Sequence, residues 1–393
     1  MIKNYLNSYR IAVLLSTISM GFGILREFII VGLLGFTSLN DSLQLYLSVF
    51  YTIGLTIDAM RLACLNLYSS FSLSRMLVCA SVISLPFSFI IGFAMSFSTG
   101  GMNFQLLLIT ILGGYLNLIA TLLITYNQRN NVFLLAQFIN VLPNFILIPG
   151  VLCCYWFSTQ DIIFSLVCLT SLIPVVQCFF LLLIPTQKTE LLHHNKISFG
   201  AGLMVFVRHF SAMLSEPFYQ TLLRTTFYHV GAGYLSMFAI TIRIYSAARF
   251  ILIDSFIGSK LANWKIKLKN ETHYFEKFFD LTLLSLVIVI GLLFLSIQSS
   301  TRFLYFSLQI MAILAAGFYF STLVRIVYFK INHHQNNPKI VIRFALFEFA
   351  CLLLAFLLTK QLNYPILILL WIGYVAKPFG QLLFLRKHEP SYL

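Results

Sequence analysis

Nine of the 26 basic residues fall within or at the edges of long apolar runs: Arg26, Arg61, Arg208, Arg224, Arg243, Arg249, Arg325, Arg343 and Lys377. A charge at the middle of a hydrocarbon layer costs about 2.5–3.5 kcal/mol on insertion scales, so such a residue faces a protein interior or a wet cavity. At 1.5 Å per residue, Arg208 and Arg243 each lie about 14 Å into their runs and Arg26 about 22 Å into the first, beyond the easy reach of a headgroup. Arg61, Arg325 and Arg343 sit near cytoplasmic ends and Arg224 near an outer end, where a long side chain is expected to snorkel. Guanidinium forks stay charged and match phosphate oxygens bidentately, which makes a phosphate or diphosphate the favoured ligand for Arg26, Arg208 and Arg243. A set of inter-helix ion pairs is the alternative of equal weight. Arg249 and Lys377 are candidate cavity residues, and Pro378 is expected to disturb the helix after Lys377 and free backbone carbonyls there.

The acidic residues in these runs are Glu27, Asp58, Glu216, Asp254 and Glu348, with Asp41 at the first outer loop. Glu27 and Asp41 are candidate cavity residues. Arg26 and Glu27 are adjacent and point about 100° apart on a helix, so each is expected to seek a partner elsewhere. Asp58 and Arg61, three apart, are placed to neutralise each other. Asp58, Glu216, Asp254 and Glu348 are candidates for ion coupling, by binding Na⁺ or carrying protons, with structural ion pairing as the competing role. His193, His194, His333 and His334 form two pairs in polar loops and read as solvated rather than metal-binding. Of the seven cysteines, Cys64, Cys79, Cys168, Cys178 and Cys351 lie in apolar runs and read as packing residues, and Cys153 and Cys154 stand near a helix end. There is no P-loop, nucleotide fingerprint or nucleophile elbow. No cofactor is expected, and any transport draws on Na⁺, H⁺ or the membrane potential.

The elements that position these groups are transmembrane helices. Apolar residues make up 59% of the chain and charged residues 10%, proportions no soluble globular protein could bury. Spans are expected near 11–34, 43–66, 76–97, 104–125, 132–156, 162–184, 199–227, 234–258, 278–298, 303–327, 340–359 and 365–385. The first run is long, carries Arg26 and Glu27 and has no cleavage site, so it reads as a retained span. With the N-terminus inside, fifteen loop cations fall on the cytoplasmic side and only Arg302 and Lys360 outside, which places both termini in the cytoplasm. The charge of +14 follows this asymmetry and implies no nucleic-acid partner. The polar stretch 185–198 divides the chain into an N-terminal lobe, 1–190, and a C-terminal lobe, 191–393. Polar, Asn-rich loops after spans four and ten suggest two parallel six-helix repeats.

The segment Gly23 to Asp41 resembles the first-helix signature of the MurJ/MviN lipid II flippases: Gly23, then Arg26 followed by Glu27, an apolar stretch, Gly35, and Asp41 opening the second helix. Tyr126-Asn127 through Pro143-Asn144 is similar to that family's polar approach to helix five, and Tyr328 through Asn337-Pro338-Lys339 to its approach to helix eleven. The resemblance implies the multidrug/oligosaccharidyl-lipid/polysaccharide (MOP) exporter fold, all-α, with two six-helix lobes around a cavity that opens alternately to each side. It also implies a cationic cavity that receives the diphosphate of an undecaprenyl-linked sugar, with Arg26 and Arg243 among its arginines. The family's earlier helix-one arginine falls on Met20 and its helix-two arginine near Gly54, and the twelve spans omit two helices that line the lipid-tail groove in peptidoglycan flippases. The expectation is therefore a monomeric flippase of the bacterial inner membrane for a lipid-linked saccharide, lipid II or another, with membrane lipid as its surroundings. A multidrug or organic-cation antiporter of the same superfamily, and a membrane enzyme or scaffold, are the competing readings.

Overall fold

The computed structural model describes residues 2–67, 71–129, 133–157, 161–184, 198–249, 302–334, 338–361 and 365–388. All regular structure among them is helical: α1 (Ile2–Leu34), α2 (Ser38–Gly54), α3 (Ile57–Leu67), α4 (Leu73–Ser98), α5 (Phe104–Arg129), α6 (Phe133–Phe157), α7 (Ile162–Leu183), α8 (Phe199–Met213), α9 (Ser215–Val230), α10 (Tyr234–Arg249), α11 (Arg302–His334), α12 (Pro338–Gln361), α13 (Pro365–Trp371), a π-helical turn (Ile372–Ala376) and α14 (Lys377–His388). Each expected span but the ninth overlaps described helix, the eighth only as far as Arg249. The ninth, at 278–298, lies outside the described residues, as do Asp254 and the histidine pair at 193–194. Among the described residues six helical stretches are long and apolar enough to cross a membrane. Phe97 and Phe157 are two of many large apolar side chains exposed along the helices, Leu183, Met204 and Leu346 among them, and so extensive an apolar exterior suits lipid. The chain is an all-α, multi-pass membrane protein.

Packing divides it into two compact units, 1–236 and 237–393. The expected lobe boundary near residue 190 falls in 185–197, outside the described residues.

In the first unit α5 is the central helix, packed against α2, α3, α4, α6 and α7. It approaches them closely because it carries two adjacent glycines. A Cβ on Gly113 would lie 2.7 Å from the Ser171 Cβ of α7, and one on Gly114 would lie 2.8 Å from Ile53 of α2. Without a hydrophobic drive between helices in lipid, such small-residue contacts and the dispersion they permit hold the bundle together. At its C-terminal end α5 runs on to Arg129, into the expected polar loop, where Asn127 is buried and donates to the Leu181 carbonyl of α7 at 3.1 Å. Helices likewise continue through Lys330 to His334 in α11: a helix need not end where the hydrocarbon does.

Two spans of this unit are broken midway. Span two divides into α2 and α3 where Leu55 and Thr56 bond back three residues, to Thr52 and Ile53, and the Thr56 hydroxyl also takes the Ile53 carbonyl. Span seven divides at Leu214 into α8 and α9. Pro217 in the first turn of α9 has no N–H for the Met213 carbonyl, so the regular ladder cannot run through. Pro143 in α6 similarly deprives the Ile139 carbonyl of its donor, and Gln177 of α7 replaces it at 2.9 Å. A backbone oxygen that the proline leaves without its helical donor is thereby satisfied from the neighbouring helix.

In the second unit α11 packs against α13, the π turn and α14. Pro378 cannot donate to Tyr374, and the expected helix disturbance takes the form of the π turn, in which the Lys377 N–H bonds to Ile372 instead. The Tyr374 carbonyl rests against Gly317 of α11, at a position no Cβ could share. Ring contacts Tyr245–Phe318, Tyr245–Tyr374 and Phe320–Phe379 complete this core.

Candidate functional site

The polar residues of the first unit converge on α2. Its Gln44, Ser48 and Tyr51 recur every three to four residues and so share one face. Arg26 of α1 donates from one terminal nitrogen to Glu27 Oε1 at 2.6 Å and to the Tyr51 hydroxyl at 2.7 Å. Gln44 donates to Glu27 Oε2 at 3.1 Å, so both carboxylate oxygens are engaged. One turn along, Arg224 of α9 donates to Ser48 Oγ at 2.7 Å. Arg26, Glu27 and Arg224 are all buried.

Two expectations are corrected here. Adjacency does not keep Arg26 and Glu27 apart: the guanidinium sits on a long flexible stem that crosses the 100° between the two Cβ directions, and burial leaves no water to compete with the carboxylate. Arg224 does not snorkel, because its face of α9 packs on α2 rather than on lipid. Arg224, Gln44, Ser48 and Tyr51 were missed in the sequence. The only signal for them was a polar residue at every turn of an otherwise apolar span.

The signature residues each acquire a structural place. Gly23 lies beside Asn144 of α6, which donates to Ser19 Oγ of α1 at 2.6 Å. Gly35, at φ +68°, ends α1 in the left-handed conformation that glycine adopts without strain, and its N–H closes on Val31. Asp41 is buried and receives three hydrogen bonds: Gly233 N at 2.6 Å, Ser236 N at 2.8 Å and Ser236 Oγ at 2.6 Å. It therefore caps the first turn of α10 from another helix, placing a negative charge at the positive end of that helix. Gly233 beneath it, at φ +88°, packs so tightly on the Phe36 carbonyl that a Cβ would come within 2.7 Å.

The remaining candidates are dispersed. Arg208 is half-buried on α8, beside His209, which is buried and bonds Asn66 of α3 at 2.9 Å. Glu216 on α9 accepts from Gln220 at 3.0 Å. Arg243 lies in the second unit on α10, half-buried. In that unit Glu348 of α12 accepts from Gln381 of α14, with Lys377 Nζ at 3.7 Å from the same oxygen. Arg61 and Arg343 are exposed, in keeping with side chains that reach for headgroups. The side chains of Asp58, Arg249 and Arg325 lie outside the described residues. Among those that are described, no cluster of three or more His, Cys, Asp or Glu could hold a metal ion.

No family model and no curated protein matches the chain. Solved structures do. A lipid II flippase MurJ in an inward closed conformation aligns with a TM-score of 0.65 at 17% identity, over 96% of this chain and 87% of its own. An inward-facing multidrug resistance MATE family transporter of the MOP superfamily gives 0.64 at 13% identity, over 95% of each chain. A mutant of the Vibrio cholerae MATE transporter VcmN gives 0.60 at 12% identity, over 98% and 96%. This chain has the MOP-superfamily fold. Identities this low speak to the fold alone.

Proposed function

We propose that this MOP-fold protein is an alternating-access flippase that carries a polyprenyl-diphosphate-linked saccharide across a bacterial cytoplasmic membrane. The observation that carries the reading is the Arg26 guanidinium. It is buried and held through one terminal nitrogen, and its Nε–H has no hydrogen-bond acceptor among the described residues. A buried donor left unsatisfied costs about 1–3 kcal/mol, which an arriving phosphate oxygen would recover. Glu27 holds the arginine in place while the site is empty, and a diphosphate, carrying more than one negative charge, competes effectively with a single carboxylate. Arg224, one turn further along α2, supplies a second guanidinium. Arg208 and Arg243 are proposed as further diphosphate contacts, each to be tested singly.

An antiporter for organic cations is disfavoured by what the buried carboxylates among the described residues do. Glu27 is paired with Arg26, Glu348 with Lys377, and Asp41 is occupied in capping α10. The test uses proteoliposomes containing the purified protein, with a fluorescent polyprenyl-diphosphate sugar as one probe and tetraphenylphosphonium as the other. The Arg26→Gln/Glu27→Gln double variant, which leaves no unpaired carboxylate behind, is expected to slow diphosphate-lipid flipping at least about tenfold, the effect of ~1.4 kcal/mol. Wild-type rates in that variant and in Arg224→Gln would overturn the assignment, and proton- or Na⁺-driven uptake of tetraphenylphosphonium would favour the antiporter.

A further inference from the structure

Nothing in the proposed anion site uses the contact between α3 and α8, and that contact holds a buried histidine. Gly202, Phe206, His209 and Phe210 recur at helical spacing and share one face of α8, a helix that packs against α3 and α4. Gly202 lies so close to the Phe71 ring that a Cβ has no room, Phe206 is fully buried, and Phe210 meets the Phe87 ring of α4 edge-on, with centroids 5.9 Å apart. His209 is the polar member of this set, about 15 Å along the helix from Phe199 and 3% exposed. Its Nε2 lies 2.9 Å from Asn66 Nδ2. Asn66 is one residue from the end of α3 and stands at the exposed edge of the contact.

An amide nitrogen can only donate, so Nε2 accepts this bond and the packed ring is neutral. A second proton would put a cation into an apolar contact. Turning the amide would give the new N–H an oxygen to meet, but no counter-charge. The ionisable groups on the neighbouring elements do not supply one among the described residues. Arg208, next in the chain, is itself a cation. On α3, Arg61 is exposed, the Cys64 thiol turns to the Leu122 carbonyl, and the side chain of Asp58 lies outside the described residues. On α4, Arg75 is exposed and Cys79 is buried. On α9, beyond the break at Leu214, Glu216 accepts from Gln220 and Arg224 donates to Ser48, with Tyr219, Tyr228 and His229 on the same helix. Packing of α3 on α8 therefore suits the neutral ring, and a state in which the two helices have parted and water reaches the ring suits the protonated one.

We propose that His209 is a proton-binding site that controls the α3–α8 contact: the ring is neutral while the helices pack and takes up a proton when they part, so that acid favours parting. The proposal does not depend on the identity of the cargo, and its test reads a distance rather than transport. The full chain in lipid nanodiscs carries spin labels on unnatural amino acids at Leu65 of α3 and Met204 of α8, both exposed, which leaves the native cysteines in place. The distance between the labels is measured by pulsed electron spin resonance from about pH 8 to about pH 5, the range over which histidine changes charge. In the wild type a longer-distance population is expected to grow as the pH falls, by up to about tenfold per pH unit relative to the packed one. His209→Gln, which keeps a hydrogen-bonding group beside Asn66 but cannot charge, is expected to hold the packed distance throughout. Asn66→Asp, which offers the imidazolium a carboxylate, is expected to hold the packed distance to lower pH than the wild type, and it decides the matter where His209→Gln does not fold. A wild type whose distances do not change with pH overturns the proposal, and so does a His209→Gln or an Asn66→Asp that opens with acid as the wild type does.

Discussion

Asp41 separates a holding role from a cargo-binding one, and the two give opposite results on substitution. Replacing it with Ala removes the acceptor from three buried donors, the Gly233 and Ser236 N–H groups and the Ser236 hydroxyl. Each donor left unsatisfied costs about 1–3 kcal/mol. Against this stands relief of the carboxylate's own desolvation, several kcal/mol for a buried ion after relaxation. The net loss expected for Asp41→Ala is about 2–4 kcal/mol. Asp41→Asn keeps one acceptor oxygen but loses the charge and turns an NH₂ donor toward other donors, so it should fall between wild type and Ala. The measurement is the melting temperature of a fluorescent fusion in detergent, read by size-exclusion chromatography after heating, together with flipping per folded molecule in proteoliposomes. Both variants should lower the melting temperature in the order Ala below Asn, and the surviving folded protein should flip within about threefold of wild type, a difference of about 0.7 kcal/mol. Unchanged melting with lost flipping would refute the capping argument and return Asp41 to the cavity.

Gly317→Ala puts a methyl group where the Tyr374 carbonyl lies, so the π turn or α11 must shift; a loss of at least about 1–3 kcal/mol is expected, with Gly21→Ala, which meets nothing within 4 Å, as the indifferent control in the same thermal assay. Gln177→Leu strips the Ile139 carbonyl of its donor and should cost about 1–2 kcal/mol, whereas in a Pro143→Ala background, where residue 143 regains an N–H for that carbonyl, the same change should cost much less. Additive losses in that cycle would refute the compensation. Arg224→Met and Ser48→Ala share one hydrogen bond, so their effects on flipping should be non-additive, with a coupling of about 0.5–3 kcal/mol.

The spans were legible because hydrocarbon imposes a length and a composition that hardly any other environment would tolerate, and Pro378 marked a helix disturbance that the structure contains as the π turn. The partners were much less legible. Arg224 looked like a helix-end residue by its distance from the end of its run, because sequence depth says nothing of which face a helix presents. The same ignorance of direction made Arg26 and Glu27 look like strangers, although a side chain as long as arginine's can cross between adjacent positions. Asp41 was recognised as part of a signature, but its task depends on Gly233 and Ser236, nearly two hundred residues away, and no local pattern encodes that pairing.

Buried charge narrows the chemistry further than the fold does. Among the described residues the buried carboxylates are Glu27, Asp41 and Glu348, and the buried cations are Arg26, Arg224 and Lys377. Each of the carboxylates already holds something: a guanidinium, a helix N-terminus, an ammonium. A cationic cargo would have to displace a tethered cation or uncap a helix to reach any of them, and would then bear the desolvation cost that the displaced group had offset. An anionic cargo at Arg26 competes with Glu27 for one terminal nitrogen only, because the buried Nε–H has no acceptor among the described residues. The asymmetry follows from residue types: a carboxylate can be saturated by two or three donors, whereas an arginine presents five donors over a rigid fork and is seldom satisfied by one acid. Among the described residues the buried acids are occupied and Arg26 keeps a buried donor unfilled, and that donor is the one the proposed phosphorylated headgroup would meet.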